Sequence, residues 1–198
     1  MGHTFCFSNQ KEELMKEIRI HGRGGQGGVT AAELLAHVAF VEGKWAQSFA
    51  FFGAERRGAP VEAFLRIADK PNPIRSRVYN PDYVLVFDSK LLGVVPVTDG
   101  LKKDGIAIVN TATKPDEVGI DNYRVATVDA TGIALELDLL VAGLPVVNTT
   151  MMGAFAKATG EVKLESVMKT VRSRWPGPAG EKNAEAAARA YKRLKKGW

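Results

Sequence analysis

The stretch "EIRIHGRGGQGGVT", residues 17–30, constrains the fold more than any other part of the chain. Polar Glu17, Arg19 and His21 alternate with Ile18 and Ile20, the period-two pattern of a strand, and residues from Val29 to Val41 place apolar side chains at helical spacing among strong helix formers. Between them, Gly22-Arg23-Gly24-Gly25-Gln26-Gly27 matches G-x-G-x-x-G in the strand–turn–helix context that gives this motif meaning. The first glycine permits a tight turn, the next ones let backbone amides approach an anion, and the helix start adds the positive end of its dipole. Such a turn stabilises a phosphate or a carboxylate.

The rest of the chain continues the alternation of strands and helices. "KWAQSFAFFG" and "VEAFLRIAD" read as strands on either side of the charged "GAERRGAP", and prolines at 71, 73 and 81 mark "PNPIRSRVYNP" as a loop. "DYVLVFDSK" and "GIAIVNT", with "YRVATVDATG", are nearly continuous apolar runs of the kind buried on both faces of a parallel sheet. From Thr131 "IALELDLLVA" reads as helix. "NTTMMGAFAKATG" opens with an Asn/Thr cluster suited to an N-cap, and two further helices follow in "EVKLESVMKTVRSRW" and "EKNAEAAARAYKRLKK". "RWPGPAG" reads as a hinge before the last of them. The expected fold is α/β: a Rossmann-like, doubly wound, mostly parallel sheet with helices on both faces, in a single domain. That domain spans 1–198, with 1–16 as an N-terminal extension and 175–198 as a C-terminal helical segment. Ligands of such sheets bind at the carboxyl ends of the strands, which directs attention to Gly22 to Gly28, Ser48 to Arg57, Asp88 and Ser89, Asn110 and Thr111, Asp129 to Gly132, and Asn148 to Thr150.

Composition narrows the chemistry. The chain has 198 residues, enough for one core, and 45% hydrophobic with 25% charged residues is the mix of a globular protein rather than a disordered one. It has a single cysteine, Cys6, so it cannot build an intramolecular disulfide or a thiolate-ligated zinc or iron–sulfur site by itself. His3, His21 and His37 form no ligand-spaced set, and His37 reads as a partly buried structural residue. Net charge is +5, concentrated in the tail "ARAYKRLKKGW", but without a nucleic-acid motif this basicity does not point to DNA or RNA. No apolar run is long enough for a bilayer and no signal-peptide layout opens the chain, so a cytoplasmic protein without membrane association is expected.

The glycine motif alone suggests a dinucleotide, and two observations oppose that. A nicotinamide or flavin domain places Asp or Glu about 20 residues on to hold the ribose hydroxyls. Here that place holds Gln47, Ser48 and Phe49, and the nearest acid, Glu55, lies in a turn with Arg56 and Arg57. Arg23 and Gln26 also occupy turn positions that a dehydrogenase fills with small or apolar residues. Close strand–helix packing is a further reading of the glycines.

"RIHGRGGQGGVTAAELLA", with "FFGAERRGAPVEAFLRI" about thirty residues on, resembles the gamma subunit of the 2-oxoacid:ferredoxin oxidoreductases, most closely the enzyme acting on pyruvate. The paired motifs mark this family far better than the glycines alone. Ala59 stands where the family often has glycine. "PDYVLVFDSKLL", "VVNTTMMGAFAKATG" and "KNAEAAARAY" extend the similarity over nearly the whole chain.

The resemblance implies a subunit of a heterotetrameric enzyme that oxidatively decarboxylates a 2-oxoacid, transfers the acyl group to coenzyme A and passes two electrons to ferredoxin. It also implies thiamine diphosphate, magnesium and iron–sulfur clusters in partner alpha, beta and delta subunits, with no cofactor held by this chain and no catalytic residue on it. Coenzyme A, as co-substrate, carries phosphates. The candidate contacts are Arg23, Gly24, Gly25, Gln26, Gly27, Gly28, Arg56, Arg57, Asn148 and Thr149, through amides, guanidinium groups and a helix start. Plainer readings stand beside these: an intersubunit salt-bridge surface for Arg56 and Arg57, a helix cap for Asn148, and loop caps for Asp88 and Asp129. A stand-alone nicotinamide or flavin oxidoreductase, and a purely structural assembly module, are the alternative functions. 2-Oxoglutarate or a branched-chain oxoacid is the alternative substrate.

Overall fold

The strand pattern of residues 17–21 becomes β1 (Lys16–Arg23), and the glycine turn leads into α1 (Gly28–Val41). The computed structural model describes residues 15–51, 58–72, 74 and 76–198. β2 (Trp45–Phe51), β3 (Pro60–Ala68), β4 (Tyr83–Val86), β5 (Ile106–Asn110) and β6 (Arg124–Val128) follow, and all fall on the apolar runs read as strands. Then come α2 (Ala130–Glu136), the short hairpin β7 (Leu140–Val141) and β8 (Leu144–Pro145), α3 (Asn148–Thr159), α4 (Leu164–Arg174), α5 (Pro178–Arg193) and β9 (Lys195–Lys196).

These form a mixed α/β unit around a 7-stranded sheet of order β2-β3-β1-β4-β5-β6-β9. β1, β4, β5 and β6 pair in parallel, whereas β3 runs antiparallel between β1 and β2. A dinucleotide fold would seat its second strand directly beside the first. Here β3 takes that place, so with strands about 4.8 Å apart the end of β2 lies roughly 10 Å from β1. An acid there could not reach a ribose held by the glycine turn.

Alternation decides the two faces. Ile18 and Ile20 join Leu85, Ile108 and the inner sides of α1, α3, α4 and α5 in one core, and α2 adds Ile133 and Ala134. Val84, Val86, Ala107 and Val109 point the other way, against Leu91, Val97 and Leu101. That second face is covered by the 3-10 turn Ser89–Gly93, by the segment after the 3-10 turn Pro115–Glu117, and by loops.

Two local expectations are corrected. The helix from Thr131 stops at Glu136, because Asp138 adopts φ 53° and Ala142 and Gly143 take φ 50° and 77°, a pair of positive values suited to a two-residue hairpin. A short apolar run such as "LLV" fits helix and strand alike, and here the turn decides for strand. The tail also ends differently: α5 closes at Arg193, and Lys195–Lys196 pairs with β6 as a sheet edge. The terminal helix docks on the domain, with its Ala184, Ala187 and Ala190 fully buried. At Gly153 of α3 an added Cβ would lie 2.0 Å from the Ala187 carbonyl oxygen, so only glycine allows that approach. Among the described residues no helix is long and apolar enough to cross a membrane.

Candidate functional site

The carboxyl ends of β1 and β4 flank the point where chain order changes direction, and the glycine turn sits there. Gly25 and Gly27 adopt φ 99° and 79°, conformations that side chains with a Cβ rarely accept. Gly27 is the N-cap of α1, which has no side-chain cap and no acid in its first turn. The turn is braced from both sides. Gly24 donates its amide to the Ala59 carbonyl at 3.0 Å and accepts from the Gly58 amide at 3.4 Å. Gln26 folds back, its amide donating to the Arg23 carbonyl and its Oε1 accepting from the Arg23 amide at 2.8 Å.

Arg23 does not project freely. Its Nε donates to Asp88 Oδ2 at 2.6 Å and its Nη1 to the Gly58 carbonyl, so it clamps the end of β1 to the end of β4. Asp88 also caps the following 3-10 turn through the Lys90 amide, and Asp129 caps α2 through the Gly132 amide at 2.7 Å, as their loop-cap reading expects. Asn110 ties the neighbouring strand ends together: Nδ2 donates to the Phe87 carbonyl and to Thr131 Oγ1, and Oδ1 accepts from the Thr131 amide.

α3 brings its start to the same place. Asn148 is 5% exposed and lies against Gly27, where an added Cβ would meet its Nδ2 at 2.9 Å. It is the first residue of the helix rather than its cap; Val147 holds the cap position with no side-chain bond, while Asn148 Oδ1 accepts from the Thr149 amide at 2.8 Å. Thr149 is fully buried and its hydroxyl donates to Asn183 Oδ1 of α5, so it pins two helices together instead of facing a ligand. The residues thus assemble two helix starts without acidic caps, those of α1 and α3, around one glycine. The amides of Gly25 and Gly27, Gln26 Nε2 and Asn148 Nδ2 have no hydrogen-bond partner among the described residues. Donors without acceptors, at two positive dipole ends, suit an anion. Arg56 and Arg57 lie outside the described residues.

Asn148 also lines a cleft of about 420 Å³ with Leu140, Val146, Trp175, Lys182 and Asn183. The walls are largely apolar, with Lys182 the cation among them; its Nζ stands 3.8 Å from Asp138 Oδ2. Lys182 and Asn183 open the "KNAEAAARAY" segment, which carries part of the family resemblance but is not among the candidate contacts. Their signal was the "EKNAEA" start of the last helix, whose direction is set only by its docking.

A second polar cluster lies on the face of β1 opposite Ile18 and Ile20. Buried Arg19 donates through Nε to His21 Nε2 at 3.0 Å and through Nη2 to the Val97 carbonyl at 3.1 Å. Burial first, and the Arg19 charge second, push His21 down to about 4, which keeps it neutral beside Glu62, 3.8 Å away. The alternation in "EIRIH" carried that pairing in plain view. Among the described residues no group of three His, Cys, Asp or Glu side chains could hold a metal ion.

Comparison with known proteins places this architecture. The sequence profile of the family described as "Pyruvate ferredoxin/flavodoxin oxidoreductase" matches residues 17–193. "Pyruvate synthase subunit PorC" of Methanothermobacter marburgensis is 55% identical over 181 residues, covering 91% of this chain and 98% of that protein. "Pyruvate/ketoisovalerate oxidoreductases common subunit gamma" of Thermococcus kodakarensis is 56% identical over 182 residues, covering 89% and 96%. The crystal structure of pyruvate oxidoreductase subunit PORC from Thermotoga maritima superimposes with a TM-score of 0.81 at 38% identity, over 93% of this chain and 99% of that one.

Proposed function

The chain belongs to the pyruvate ferredoxin/flavodoxin oxidoreductase family, and on that premise we propose that it is the gamma subunit of a pyruvate synthase. The assembled enzyme converts pyruvate and coenzyme A to acetyl-CoA and CO₂ and delivers two electrons to ferredoxin. The carrying observation is the match to pyruvate synthase subunits over nearly the full length of both chains.

Thiamine diphosphate with its magnesium, and iron–sulfur clusters, do not fit this chain: it has one cysteine, and no carboxylate or histidine trio among the described residues. We assign those groups to the alpha, beta and delta subunits, and no chemical step to this one. What the chain offers is a receiving surface for coenzyme A. The unpartnered donors of Gly25, Gln26, Gly27 and Asn148 suit a phosphate, and the neighbouring apolar cleft with Lys182 suits the rest of a long, mixed-polarity molecule. Arg56 and Arg57 would add cationic charge from the segment between β2 and β3. Arg23, paired with Asp88, holds the turn in shape rather than meeting the ligand directly.

The test is Gln26→Leu and Asn148→Ala in the reconstituted four-subunit enzyme. A rise in KM for coenzyme A, with KM for pyruvate unchanged, supports the reading. An unchanged KM in both variants leaves the turn an assembly element only, which its internal bracing by Ala59, Gly58 and Asp88 would favour. Recovery of the native protein as a lone chain, without thiamine- and cluster-bearing partners, would refute the subunit assignment itself.

A further inference from the structure

The two edges of the sheet are built differently. β9 is two residues long and both are lysine, a short charged edge of the kind that keeps other strands away. β2, at the opposite edge, is seven residues long, "WAQSFAF", with no charge and no proline. It has β3 on one side and no strand on the other among the described residues. A neutral strand of that length presents an open row of N–H and C=O groups, which is a template for pairing. The edge is flanked by a matching helix face. Val29, Glu33, Ala36 and Phe40 recur at helical spacing along α1. Val29 and Glu33 line a small cleft with Ser48, Phe49 and Ala50 of β2, which puts this stripe beside the edge. At its end Phe40 is 69% exposed, and at the end of β2 Phe51 is 50% exposed.

We propose that β2 pairs antiparallel with β2 of a second copy of this chain, about a two-fold axis through Ser48, joining two sheets and setting the two α1 stripes side by side. The strand is complementary to itself in that register. Ala46 faces the second copy's Ala50 on the helix-covered side, leaving room for both helices. Trp45 faces its Phe51, and Gln47 its Phe49, on the other side, where aromatic cross-strand pairs are favourable. β2 itself carries no charge, so none meets its like within the strand pair, and the nearest like charges across the axis are the two Glu33 carboxylates on the α1 stripes beside Ser48. Gln47, whose Oε1 has no hydrogen-bond partner among the described residues, lies diagonal to the second copy's own Gln47, within the reach of a long side chain. An isologous contact of this kind closes on itself instead of propagating, so a discrete pair forms and not a fibre.

The native mass of the isolated full-length chain, measured by light scattering across the micromolar range, is expected to correspond to two copies. Hydrogen exchange of the outward-facing β2 amides is expected to slow as concentration rises. Phe40→Glu, on a side chain exposed in the single chain, keeps the circular dichroism and thermal unfolding of the fold and weakens association at least about tenfold, because a buried phenylalanine contact is lost. Gln47→Lys, which brings two cations close to the axis, weakens it further. A single-copy mass at every concentration overturns the proposal. So does protection of β2 that arises only when other subunits are added, since the occupant is then one of them. No ligand enters the experiment, so its outcome is separate from the coenzyme A reading.

Discussion

Asn148, the first residue of α3, lies so close to Gly27 in the glycine turn that a Cβ on Gly27 would come within 2.9 Å of its Nδ2. The contact spans 121 residues of sequence and joins two helix starts that lack acidic caps. Gly27 is therefore held to glycine twice, by its φ of 79° and by its neighbour, whereas Gly25 is held only by its φ of 99°, with nothing within 4 Å of an added Cβ.

Alanine scanning of the turn should separate these two constraints. Gly25→Ala is expected to cost about 1 kcal/mol, the penalty of a left-handed alanine, and Gly27→Ala about 2–4 kcal/mol because the clash adds to it. Urea unfolding of both variants checks this; equal losses would mean that Asn148 moves aside freely.

The Arg23–Asp88 pair is short and partly shielded, with side-chain exposures of 28% and 18%. A double-mutant cycle of Arg23→Ala and Asp88→Ala should give a coupling of about 1 kcal/mol, more than the surface pair Lys114–Glu117, whose coupling should be close to zero. Weak coupling at Arg23 would mean that its cation is free for other work.

His21 makes stability depend on pH. Its folded pKa is about 4, below the ordinary value of 6.5, so between those values the unfolded chain binds the extra proton. The neutral form is favoured in the folded state, and its contribution is complete above about pH 6.5 and lost as pH falls toward 4, with a total on the order of 3 kcal/mol. Unfolding free energies measured from pH 7 to 4 should fall more steeply for the parent chain than for His21→Gln. Parallel curves would contradict the burial of a neutral imidazole.

Arg66 is 1% exposed and donates to Glu17 Oε1 at 2.9 Å, to the Ile74 carbonyl at 3.1 Å and to the Ser76 carbonyl at 2.8 Å. It anchors the loop after β3 to the sheet, with Phe49 5.2 Å from its guanidinium carbon. Arg66→Met leaves Glu17 and those carbonyls without their donor and should destabilise the chain by about 3 kcal/mol. Arg66→Lys should recover little of this, because an ammonium cannot span the same acceptors. Faster amide exchange around Ile74 and Ser76 in both variants is the accompanying sign.

The glycine turn, strands β1 to β6 and the subunit family were legible in the sequence because each depends on neighbours in the chain, whereas the β7–β8 hairpin and β9 were not. Alternation over five residues placed Ile18 and Ile20 on one face and Arg19 and His21 on the other, and positive φ angles demanded the glycines. The missing ribose acid was legible too, but not its reason. The same residues were less informative about the site: Arg23 and Thr149 are both candidate contacts by sequence, and their partners Asp88 and Asn183 lie 65 and 34 residues away, beyond the reach of local pattern.

By itself the sequence determined an α/β chain opening on an anion-suited turn, without the thiolates for redox chemistry of its own. Only the tertiary structure decided that β3 inserts between β1 and β2, that α3 starts against Gly27, and that one sheet edge is charged while the other, among the described residues, is open. The physical reason is range. Periodicity and backbone preference act over a few residues, whereas strand order and helix docking are chosen by competition among distant surfaces for the same buried space.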